Sequence, residues 1–141
     1  MKSLKDALQT LRVLHGVFCL TIVVFLLVYL LKPPQNEVSS TTVAAIAIVA
    51  IGDLFLGRRF RDFFITPALA ALRKNLQDRS AINRWYVGNV LSFCFAEAIA
   101  LLGLLLRLLG AEWKVAAPFF VVGFLVLLVY FPRLDSELTR Q

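Results

Sequence analysis

Glu97 falls near the centre of the stretch from Val87 to Leu109, whose other charge is Arg107 near its far end. A carboxyl so placed reads as lying close to a membrane midplane, where an ionisable group costs about 2.5 to 3.5 kcal/mol on insertion scales and commonly marks a functional site. Two chemistries suit it. In its neutral form it can hydrogen-bond a neighbouring helix. As a titrating group with a path to water it can take up and release a proton or bind a cation. His15, Asp53 and Asn89 each lie roughly 6 Å inside the cytoplasmic edge of their own apolar segments, taking a rise of about 1.5 Å per residue, and are expected to form one polar layer. That layer is either a set of mutually satisfied groups, with Asp53 turned towards Arg58 or Arg59, or the cytoplasmic mouth of a proton path to Glu97 with His15 as relay.

At about 100° per residue, Tyr86, Asn89, Phe93, Ala96, Ala100, Gly103 and Arg107 project on the same side of a helix as Glu97. Ser92, Ala96 and Ala100, with Gly103, make a small-residue ridge that lets a second helix approach closely. This ridge is expected to be a packing face for an oligomer. Arg107 stands roughly 15 Å along the axis from Glu97, too far to pair with it, and is expected near the outer headgroups. The chain has one histidine, no glycine-rich phosphate loop and no metal-spaced His and Cys cluster, so no metal, cofactor or enzymatic activity is expected. Cys19 and Cys94 lie in apolar runs and read as small buried hydrophobes.

The scaffold that holds these groups follows from composition and patterning. Of the 141 residues, 60% are hydrophobic, well above the roughly 45 to 50% of soluble domains, and the mean hydropathy is +0.79. The expected fold is an all-α membrane protein, one domain over residues 1–141, with spans at 11–31, 41–57, 86–109 and 113–131. The net charge of +6 is carried by residues that flank apolar segments, which argues for membrane orientation and against a nucleic-acid partner. Lys2, Lys5, Arg12, the Arg58–Arg84 loop, Arg133 and Arg140 hold most of the basic residues; the short connections hold Lys32 and Lys114. Both termini and the middle loop are therefore expected to be cytoplasmic, in a bacterial inner membrane.

Pro33 and Pro34 stop the first helix, and Ser39, Ser40, Thr41 and Thr42 offer caps for the next. After Pro67, Leu69, Leu72 and Leu76 recur with Arg73, Lys74, Gln77 and Asp78 between them, which predicts a short amphipathic interfacial helix over 67–78. Arg58, Arg59, Arg61, Arg73 and Lys74 are candidates to bind anionic lipid headgroups, alongside their role in orientation.

The segment Ala96-Glu97-Ala98-Ile99-Ala100-Leu101-Leu102-Gly103-Leu104 resembles the ion-binding helix of the rotary ATP synthase subunit c family, whose pattern is Ala-Glu-Ala, an aliphatic residue, Ala, then an aromatic and Gly. The resemblance implies that Glu97 corresponds to the proton- or sodium-binding carboxylate. Leu102 replaces the usual aromatic, and the Gly-x-Gly-x-Gly run of that family's first helix is missing. The wider chain, from Asn83-Arg84-Trp85 to Phe131-Pro132-Arg133, is similar to small bacterial membrane proteins. Two functions are expected of such a chain: a structural or accessory subunit that meets itself or other membrane subunits through small-residue helix faces, or a proton or cation translocation element built on Glu97.

Overall fold

The computed structural model describes residues 3–31 and 38–132. Lys2, the Lys32–Glu37 linker, Arg133 and Arg140 lie outside the described residues. Four helices follow in order: α1 Leu4–Leu31, α2 Ser40–Lys74, α3 Arg79–Leu108 and α4 Trp113–Val129. Among the described residues these are the only regular elements, so the all-α expectation holds. Helices α1, α2 and α3 are long and apolar enough to cross a membrane; α4, with 17 residues, is shorter.

The ends have local causes. Ser39 caps α2, its hydroxyl accepting from the Thr42 amide at 3.2 Å. Asp78 caps α3 by accepting from the amides of Ser80 (2.9 Å) and Ala81 (3.2 Å). Between α3 and α4, Gly110 has φ 106°, a left-handed conformation that costs other residues about 1 to 2 kcal/mol. There the amides of Gly110 and Ala111 donate back to the carbonyls of Arg107 and Leu106, each at 2.9 Å, which satisfies the exposed end of α3.

The expected interfacial helix at 67–78 is not a separate element. Helix α2 runs unbroken through Pro67 to Lys74, and Asn75 ends it. The reason is packing: Ala68 and Leu72 are buried in the same cluster as Ala81, Ile82 and Trp85, so the apolar side of this segment is turned to protein. With 35 residues, α2 is about 52 Å long against a hydrocarbon thickness of about 30 Å. Its Arg58–Lys74 portion is thus a helical extension beyond the apolar span.

Helix α3 is the hub, packing against each of the other three; α1 also touches α4, and α2 leans chiefly on α3. Glycines set the close approaches. A Cβ at Gly57 would stand 3.0 Å from the Cβ of Phe95, and one at Gly88 would stand 2.9 Å from the Cβ of Phe64. Residues 57 and 64 therefore face 95 and 88, an antiparallel hairpin. Likewise, a Cβ at Gly123 of α4 would lie 2.7 Å from the Ala96 carbonyl oxygen. The alternation is up, down, up, down.

Candidate functional site around Glu97

Three helices claim three sides of α3. Phe95 points to α2, against Gly57, and stacks on Phe60 with ring centroids 5.7 Å apart. Ala96, Ala100 and Gly103 point to α4, where Gly123, Ala116 and Phe119 close on them. Phe93 points to α1, with centroids 5.3 Å from His15 and 5.8 Å from Phe18. The side left over, between α1 and α2, carries exposed Cys94, Leu101 and Leu105. Glu97 lies on the α1 edge of that open side. It is half-buried and makes no hydrogen bond or ion pair with any described residue.

The small-residue ridge is therefore an internal seam. Ser92 is fully buried and donates to the carbonyl of Gly88 at 2.8 Å, while Ala96, Ala100 and Gly103 are covered by α4. The glycine that receives the ridge, Gly123, escaped sequence reasoning. A glycine in a run of bulky apolar residues was the signal, but nothing local tells which helix it meets.

The expected polar layer separates into unconnected parts. His15 is buried between Phe93 and Phe131, whose ring centroid is 5.1 Å away, and its Nε2–H donates to the carbonyl oxygen of Leu127 at 3.0 Å. Leu127 sits in the last turn of α4, where carbonyls lack helical donors. The amide of Phe131 goes to Leu128 instead, and Pro132 has none to give. The sulfur of Cys19 is 3.8 Å from the His15 Nδ1. Asn89 is fully buried and donates to its own helix, at the Trp85 carbonyl 2.9 Å away; its Oδ1 has no partner among the described residues. No hydrogen bond joins His15, Asn89 and Asp53.

Asp53 is displaced from the layer altogether. Gly57 is abreast of Phe95, so Asp53, one turn earlier in an antiparallel helix, lies about 6 Å further outward. This puts it beside Ile99 and not Asn89: its neighbour Leu54 lines a groove together with Ile99, Phe119 and Val122. Depth counted from each span's own edge missed this because the hairpin register, and not the hydropathy, sets which residues are level.

The basic residues also divide. Arg58, Arg59, Arg73 and Lys74 are exposed on the α2 extension, and Arg59 lies over the Phe55 ring at 5.2 Å. Arg61 is turned inward, its guanidinium 4.9 Å from the Tyr130 ring centroid at the end of α4. Arg107 is buried, donating from Nη1 to the Ala111 carbonyl at 3.0 Å, so it braces the α3–α4 turn. Among the described residues no group of three or more His, Cys, Asp or Glu side chains is placed to hold a metal.

None of the protein-family models, curated proteins or solved structures compared with the chain matches it.

Proposed function

We propose that this chain is a non-enzymatic integral membrane subunit that works by helix contact within a larger membrane assembly. The observation that carries this reading is the open side of α3. Glu97 sits at its edge without a partner among the described residues, while lipid chains offer a carboxyl neither donor nor acceptor. A second protein surface would supply both. With the ridge of Ala96, Ala100 and Gly103 consumed by α4, this open side takes over the contact role.

In this reading all four helices lie in the bilayer, and the termini and the α2–α3 turn are cytoplasmic, in a bacterial inner membrane. The concentration of arginine and lysine at the start of α1 and on the α2 extension supports that orientation. Exposed Arg58, Arg59, Arg73 and Lys74 would then meet anionic headgroups, each worth about 1 kcal/mol near the surface.

A second reading rests on the same unpartnered carboxyl together with its resemblance to the subunit c ion-binding helix: Glu97 as a titrating site for proton or cation translocation. The separation of His15, Asn89 and Asp53 gives this reading no continuous relay, which places it second. One pair of measurements divides the two. Native mass spectrometry from lipid nanodiscs reports assembly, and carbodiimide labelling with ion flux in liposomes reports titration. Assembly predicts a defined oligomer and unchanged flux in Glu97→Gln. Loss of a measurable flux in Glu97→Gln, with labelling at Glu97 that sodium or rising pH suppresses, would replace the first reading with the second.

A further inference from the structure

Two carboxyls flank the open side of α3 at nearly one depth. From the Gly57–Phe95 contact, Glu97 lies two residues outward on α3 and Asp53 four residues outward on α2, about 3 Å and about 6 Å respectively. They are therefore level to within a turn. They stand on opposite banks. Asp53 belongs to the stripe of α2 that faces α3, near buried Ile46 and Gly57. Leu54, about 100° around α2, lines the groove with Phe119 and Val122 of α4, and Arg61 also turns towards α4. Asp53 falls on the other flank, towards the open side. Glu97 occupies the α1 bank, roughly 135° around α3 from it on helical geometry, so α3 stands between the two within one chain. Like Glu97, Asp53 is half-buried and makes no hydrogen bond or ion pair with a described residue.

We propose that a second copy of this chain docks on the open side of α3 about a two-fold axis normal to the membrane, so that Glu97 of each copy meets Asp53 of the other. This rests on the assembly reading above and names its partner. The geometry is self-complementary. A two-fold rotation carries the α1 bank of one copy onto the α2 bank of the other, as an isologous interface requires, and the shared depth lets both carboxyl pairs form at once. Across each pair, one neutral carboxyl donates its O–H to an oxygen of the other, so both groups gain a partner without a cation. Cys94, exposed in the middle of the open side, then lies beside its copy near the axis.

The test uses full-length protein in lipid vesicles. Two single-cysteine chains, Asp53→Cys and Glu97→Cys, each also carrying Cys19→Ser and Cys94→Ser, are mixed and oxidised. The expected product is a disulfide-linked dimer that forms in the mixture and far less in either chain alone. The unmodified protein supplies the second measurement, since oxidation or a short bismaleimide should join Cys94 to Cys94. Glu97→Leu removes both pairs of the dimer and should raise its dissociation constant roughly 10- to 1000-fold, the worth of two interhelical hydrogen bonds in a membrane, and Glu97→Gln should raise it less. A native-mass dimer or hetero-oligomer that yields neither cross-link overturns this interface and leaves the assembly reading standing. A monomer in lipid at every protein density overturns both.

Discussion

The imidazole of His15, in the first helix, donates from Nε2 to the backbone carbonyl of Leu127, in the last, across 3.0 Å. A side chain at one end of the chain thus completes the helix terminus at the other. The bond also fixes the tautomer, because a carbonyl can only accept. The residue that sequence reasoning offered as a proton relay has a structural post that ties α1 to the end of α4.

Removing that donor should be felt as stability. His15→Ala leaves the Leu127 carbonyl buried and unpaired, a loss of about 1 to 3 kcal/mol before the cavity is counted. Thermal unfolding in a mild detergent measures it. An unchanged midpoint would mean that the carbonyl finds water in solution.

Gly123 separates close packing from helix propensity. A Cβ there would sit 2.7 Å from the Ala96 carbonyl oxygen, whereas a Cβ at Gly16 or Gly52 would meet nothing within 4 Å. Gly123→Val should therefore destabilise the protein by about 1 to 3 kcal/mol or more through overpacking. Gly16→Ala and Gly52→Ala should cost nothing measurable in the same unfolding assay.

Asn89 offers the opposite sign. Its Oδ1 is buried without a partner among the described residues, and replacing such a group by an apolar one of similar shape is close to neutral or stabilising. Asn89→Leu should keep or raise the unfolding midpoint. If Asn89 instead served a proton path, the same variant would stay folded and abolish flux in liposomes.

Gly110 should tolerate no side chain without strain. At φ 106°, Gly110→Ala is expected to cost about 1 to 2 kcal/mol and to loosen the turn that buried Arg107 braces through Ala111. Faster hydrogen exchange at the amides of Gly110 and Ala111, against unchanged exchange near Asp78, would localise the effect.

Much of this protein was legible in its residues. The apolar runs and the cap at Ser39 act within a few positions of themselves, so hydropathy and capping chemistry predict them directly. The extent of α2 was less legible. Pro67 and the charges around it read as an interruption, yet burial of Ala68 and Leu72 in the cluster with Trp85 keeps the helix going.

Composition and patterning are enough to establish a helical, strongly apolar chain with one carboxyl deep within an apolar run; they lead to an expectation of four spans, whereas three helices are long and apolar enough for a membrane and the fourth is shorter. Tertiary structure alone decided which side of α3 each neighbour takes, and with it that the small ridge faces inward and Glu97 outward. The physical reason is that nearly every side of these helices is apolar. Transfer free energy therefore does not choose between them, and the choice falls to close approach at Gly57, Gly88, Gly103 and Gly123. The same contacts set the hairpin register that lifts Asp53 away from Asn89 to the level of Glu97.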